Sequence, residues 1–174
     1  MKPILTGYLA KLGLFCLGVM LGWLVLEATS RWLYPTPHGF YHKDPRYNLV
    51  FIPNDEGWYS MPPDAPRVWV KINSQGLRDT EHTYTKDPNT YRILVLGDSM
   101  AAALEVPLED SFPKVLETMS NGIGDRKVEV INASAAGRSP SEELRFYECE
   151  GYRYNPDLVL LAFFVGNDLR IGVD

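Results

Sequence analysis

One stretch constrains the chain more than any other. Tyr91–Met100 reads YRILVLGDSM, a short apolar run rich in branched residues that stops at Gly97, Asp98 and Ser99. Such a run bounded by turn residues predicts a buried strand ending in a sharp turn. The residues beyond it, Ala101 to Leu104, are willing helix formers, which places Ser99 between a strand's C-terminal end and a helix N-terminus. A hydroxyl there is exposed and faces a positive dipole. Taken alone, Gly-Asp-Ser is equally ordinary turn chemistry.

Two further apolar runs give the turn its context. Val128–Ile131 leads into Asn132, Ala133, Ser134, Ala135, Ala136, Gly137 and Arg138, and Leu158–Val165 leads into Gly166, Asn167 and Asp168. Helical segments lie between the runs. Glu109-Asp110-Ser111 opens one that carries Phe112, Val115, Leu116 and Met119 at helical spacing until Asn121-Gly122, and Ser139-Pro140-Ser141-Glu142-Glu143 opens another with Leu144, Phe146 and Tyr147 on its apolar face. A β, α, β, α, β order requires a parallel sheet with right-handed crossovers. In such a sheet the three strand ends share one edge, where open α/β folds place their ligands. Ser99, Gly137 and Asn167 therefore converge.

These blocks resemble the GDSL or SGNH hydrolases. The likeness rests on Gly97-Asp98-Ser99-Met100, on INASAAGRS with Gly137, and on Val165-Gly166-Asn167-Asp168, in the family's order and covering roughly half of the chain. NSQGLRD, residues 73–79, is similar to the lead-in of membrane-anchored members. The resemblance implies a three-layer α/β/α, flavodoxin-like fold. It also implies a serine esterase or O-acyltransferase acting through an acyl-serine intermediate, with acylated envelope carbohydrate as the preferred substrate. Ser99 would be the nucleophile, and the oxyanion hole would comprise the Ser99 N–H, the Gly137 N–H and the Asn167 side-chain amide. A glycine lets a backbone N–H approach substrate without a Cβ in the way, and a neutral amide donates without competing as a base. The bland alternatives are a turn glycine at 137 and a helix cap at 167. Asp98 and Asp168 read as turn and cap residues, outside catalysis. Arg78 reads as a structural ion-pair former, with substrate contact as the alternative.

The family's Asp-x-x-His block, which supplies the base, is absent, and His38, His42 and His82 all precede the nucleophile. The expectation is an incomplete hydrolase domain without turnover as written. A noncatalytic module of the same fold that binds carbohydrate or protein stays open.

Composition narrows the other classes. The chain has 174 residues and a net charge of −5, and without Lys2, Lys11, Glu27 and Arg31 the remainder holds 14 basic against 21 acidic residues, which argues against a nucleic-acid partner. Cys16 and Cys149 offer neither a disulfide framework nor, with histidine, a metal cluster. GDSMAAAL contains neither G-x-G-x-x-G nor a P-loop lysine, so no nucleotide cofactor is expected.

The first 34 residues form a separate segment. Tyr8–Leu26 is apolar apart from Lys11, and as a helix it spans roughly 28 Å, the thickness of a bilayer's hydrocarbon core. Lys11 snorkels, and Trp32 and Tyr34 form an interfacial belt. A cleaved signal peptide is the competing reading, with Ala28-Thr29-Ser30 as the cut site. Lys2 and Lys11 before the span against Arg31 after it put the N-terminus inside and the rest on the outer face. Residues 35–66 hold seven of the thirteen prolines with aromatics between them, and read as a stiff stem whose rings pack on the domain or offer a sugar-stacking surface. Residues 67–174 are the hydrolase domain, opening on the alternating strand RVWVKI.

Overall fold

The computed structural model describes residues 2–33, 38–61, 65–121, 125–166 and 168. The chain divides into two compact units, Met1–Pro37 and His38–Asp174. The first is one helix, α1 (Lys2–Leu33), within which Gly7–Leu33 is long and apolar enough to cross a membrane. Its side chains from Gly7 on are exposed, with Glu27 partly covered by an i,i+4 ion pair to Arg31 at 2.8 Å.

The second unit is α/β. Its centre is β5 (Thr90–Gly97), flanked in parallel by β6 (Lys127–Asn132) on one side and β7 (Leu158–Ala162) on the other. Register pairs Val95 with Asn132 and Gly97 with Ala162, so the three C-terminal ends lie side by side. Alternation along β5 builds two cores. Leu94 and Leu96 join Ile131, Ala133 and Phe146 of α4 (Pro140–Cys149), whereas Ile93 and Val95 join Val130 and Leu116 of α3 (Phe112–Ser120). Successive strand residues point to opposite faces, so one apolar strand feeds both helix layers. Each buried Leu or Ile stabilises by about 1.5–3 kcal/mol relative to exposure.

The helices start where their sequence tells them to. Ser139 and Glu142 form a capping box, the Ser139 N–H donating to Glu142 Oε2 at 2.8 Å, with Pro140 in the first turn. Ser111 precedes α3, and Pro113 again takes an early position where a missing N–H costs nothing.

Two antiparallel hairpins precede the sheet: β1 (Tyr41–Asp44) with β2 (Asn48–Phe51), and β3 (Glu56–Tyr59) with β4 (Val68–Lys71). The proline- and aromatic-rich stretch is thus partly paired strand, and Phe40, Tyr47 and Phe51 are buried. Tyr34, Pro35, Pro37, Pro62 and Pro63 lie outside the described residues. The run 158–165 stays in strand only to Ala162 and has β5 as its one paired neighbour among the described residues, with Leu158, Val159 and Leu161 exposed. Cys16 and Cys149 are both free.

Candidate active site at the sheet edge

Ser99 opens α2 (Ser99–Ala102), a helix of a single turn. Asp98, fully buried, caps it by accepting the Met100 N–H at 2.9 Å. The predicted continuation through Leu104 does not form. Ala103 takes the left-handed conformation at φ 52° and sends its N–H back to the Ser99 carbonyl at 2.9 Å. The expected dipole at Ser99 is therefore slight, because one turn aligns few peptides.

What ends the helix is Arg78. Its guanidinium is buried and donates to the carbonyls of Ala102 at 3.0 Å, Ala103 and Val106. The expected ion pair does not form among the described residues. The planar fork of five donors instead gathers the carbonyls that a terminating helix leaves open. Neighbouring Asp79 finds its partners elsewhere, with Lys114 Nζ at 2.6 Å and the Asn132 N–H at 2.8 Å.

Gly97 has no room for a side chain. A Cβ there would lie 2.7 Å from Ala101 Cβ and 3.1 Å from Ala162 Cβ. The Ser99 turn, its helix and β7 close on this glycine. The loop after β6 joins them through the Ala135 N–H, which donates to Gly97 O at 3.1 Å, and through Asn132 Nδ2, which donates to Ala101 O at 3.0 Å. Asn132 is fully buried and also accepts the Ser134 N–H at 3.2 Å. Two residues past Ala135 stands Gly137, exposed and at φ +71°, a conformation only glycine adopts freely. Ser99 and the Gly137 loop thus share one edge of the sheet. Asn167 lies outside the described residues; its neighbour Asp168 is buried, accepting the Phe164 N–H at 2.7 Å as a turn residue.

Sequence reasoning did not single out Glu143. It sits on the first turn of α4, 1% exposed, and neither of its carboxylate oxygens has a hydrogen-bond partner. Burial first, then the charges of Asp168 and Asp98, push its pKa up to about 7. Arg138 stands opposite in sign, 3% exposed, donating to Ala133 O at 2.8 Å and lying over the Phe146 ring at 4.5 Å. Burial draws its pKa down to about 10. A charged glutamate within a helix start reads from sequence as a solvated capping residue, so nothing in the string marks it as buried.

His38 and His82 are paired with carboxylates. His38 Nε2 is 2.9 Å from both oxygens of Asp55. His82 Nδ1 meets Glu129 Oε1 at 2.8 Å, while Nε2 is 3.1 Å from Asp79 Oδ2, at ion-pair distance though not aligned as a hydrogen bond. Burial works against charging His82, but the two carboxylates win and its pKa is raised. His42 lies on β1. Among the described residues no histidine hydrogen-bonds Ser99, and no group of three His, Cys, Asp or Glu is placed to hold a metal ion.

No family model matches the chain. Over 79 residues it is 34% identical to an arylesterase of Vibrio mimicus, a stretch covering 45% of this chain and 39% of that protein. The match spans about two-fifths of the relative's length.

Proposed function

We propose that the chain carries the nucleophile and oxyanion elements of a serine esterase or O-acyltransferase of SGNH type, in a flavodoxin-like α/β/α domain. The observation that carries this reading is the convergence at Gly97: the strand ends, the Ser99 turn and the loop leading to Gly137 are tied together by the Ala135 to Gly97 hydrogen bond. The similarity to an arylesterase supports ester chemistry. In this reading Ser99 Oγ attacks the ester carbonyl and loses its proton to a base. The developing oxyanion accepts from the Ser99 and Gly137 N–H groups and the Asn167 amide. The alcohol then leaves with a proton, and water or an acceptor hydroxyl takes the acyl group from the serine.

The base in this reading is the histidine that the resemblance implies; among the described residues no histidine hydrogen-bonds Ser99. The helix Gly7–Leu33 anchors the protein with its N-terminus inside, so the domain meets acylated envelope carbohydrate on the outer face. A serine-reactive fluorophosphonate probe tests the nucleophile: the full-length protein is labelled and Ser99→Ala is not. Equal labelling of both removes Ser99 from the chemistry. The pairing of His38 and His82 with carboxylates favours one second reading, a noncatalytic module of the same fold, which the probe leaves unlabelled.

A further inference from the structure

His82 is a buried side chain set between two carboxylates. Its Nδ1 lies 2.8 Å from Glu129 Oε1 on β6, and its Nε2 lies 3.1 Å from Asp79 Oδ2. A neutral imidazole carries one N–H, so either tautomer would turn a lone pair on one of these anions. The ring therefore holds a proton on both nitrogens. Charge balance around it agrees. Among the described residues Lys114 meets Asp79 at 2.6 Å and Glu117 at 3.1 Å, and Arg92 meets Glu129 at 2.7 Å. Three carboxylates thus face two permanent cations, and His82 is the third. Burial, and Lys114 of α3, oppose its charge, yet the two carboxylates outweigh them and raise its pKa. Glu81, next in sequence, is exposed and accepts the Ser74 N–H at 2.9 Å.

What this network holds is the turn that carries Ser99. Asp79 Oδ2, the oxygen facing His82, also accepts the Asn132 N–H at 2.8 Å, and Asn132 Nδ2 donates to Ala101 O within α2 at 3.0 Å. Arg78, joined to Asp79 through the chain, gathers the carbonyls of Ala102, Ala103 and Val106 at the end of the same helix. A helix of four residues does not sustain itself. Its place, and that of Ser99 at its start, is set by the anchors at residues 78 and 79.

We propose that the imidazolium of His82 is a positioning residue for Ser99: it holds Asp79, Asp79 and Arg78 hold α2, and loss of the His82 proton loosens the turn. The neutral ring turns a lone pair on Asp79 or Glu129 and leaves three carboxylates to two cations, where burial limits compensation by water. The raised pKa places that loss above the ordinary imidazole value of 6.5. The turn is therefore held at low pH and released as pH rises through the folded value. The effect on catalysis rests on the esterase reading proposed above, whereas the coupling of His82 to α2 does not.

The test is an NMR titration of the full chain in mild detergent from about pH 5.5 to about pH 9.5. The His82 ring signals report an imidazolium at pH 6 and a midpoint above 6.5, and the amides of Asn132 and Ala103 shift along the same curve. That step persists in Glu143→Gln, which removes the group acting on Asp98. At pH 6, His82→Gln lowers the hydrogen-exchange protection of the Ala103 N–H, which donates to Ser99 O, by roughly ten-fold, while Val95 at the centre of the sheet keeps its own. In the catalytically active protein, fluorophosphonate labelling of Ser99 at pH 6 is roughly three-fold slower in His82→Gln. The ratio of the two rates, which cancels the titration of the catalytic base, approaches one as the wild-type ring loses its proton. A neutral His82 at pH 6, or an Asn132 amide that ignores the ring, overturns the proposal. So does an equal loss of protection at Ala103 and Val95, which assigns His82 to the fold as a whole, or equal labelling of both proteins at pH 6. Should His82→Gln fail to fold, the wild-type titration decides; should the ring stay charged throughout, the exchange comparison decides. Labelling of neither protein at any pH counts against the esterase reading and not against the coupling.

Discussion

The backbone N–H of Ala135 donates to the carbonyl of Gly97 at 3.1 Å, joining the loop after one strand to the turn after its neighbour. Gly97 is also the place where Ala101 and Ala162 approach too closely for any side chain. A methyl group there forces α2 and β7 apart. Gly97→Ala is therefore expected to cost about 1–3 kcal/mol, the usual penalty of overpacking, measured as a lower urea midpoint in detergent. Fluorophosphonate labelling of Ser99 should fall with it, while Gly39→Ala, where a Cβ meets nothing within 4 Å, leaves both unchanged.

In the proposed mechanism, removal of one oxyanion donor has a distinct kinetic signature. In the catalytically active protein, Asn167→Ala and Gly137→Val each lower kcat by on the order of 10²-fold with little change in KM. Gly137→Val adds backbone strain, because φ is +71° there. An effect on KM alone for both would place these residues in binding or folding.

Glu143 makes stability depend on pH in an unusual direction. Its folded pKa, about 7, lies above the ordinary carboxylate value of 4.5, so the folded state holds its proton more tightly than the unfolded chain. Stability is highest below pH 4.5 as far as this group is concerned, and falls as pH rises through 7, by roughly 3 kcal/mol at most. His82, with its raised pKa, also favours the folded state at lower pH. Glu143→Gln removes the first contribution and leaves the second. Denaturation midpoints at pH 5 and pH 8 should therefore differ less in the variant; an unchanged difference would show that Glu143 is ionised without penalty.

The buried ion network opposite α3 should be fragile to the loss of one member. Asp79, with no side-chain exposure, is met by Lys114 at 2.6 Å and His82 at 3.1 Å, and Arg92 completes the chain through Glu129 at 2.7 Å. Burial would raise the Asp79 pKa, yet His82 and Lys114 hold it below its usual value. Lys114→Met leaves that carboxylate with less compensation and costs about 3 kcal/mol. Lys114→Met combined with Asp79→Asn should cost less than the sum of the two, read from a double-mutant cycle.

The helix Gly7–Leu33 gives the simplest outcome. Cell membranes washed with alkaline carbonate retain the protein at its full length, and a shortened soluble form would identify a cut signal peptide.

The sequence alone determined the local elements whose cause is local. β5 was legible because YRILVLGDSM couples an apolar run to turn residues, β4 because RVWVKI alternates, and the start of α4 because Ser139 and Glu142 stand three apart. The parallel order followed from strands and helices alternating along the chain. Tertiary structure decided what depends on partners distant in sequence. It paired short strands in the proline-rich stretch, where four residues carry too little periodicity to be read. It turned Arg78 from an expected ion-pair former into a clamp on three carbonyls more than twenty residues away. It buried Glu143 and brought to it the charges of Asp98 and Asp168, both distant in the chain. Hydrogen-bond geometry and desolvation are set by the environment that folding assembles, and a string of residue types specifies that environment only where the contacts are near in the chain.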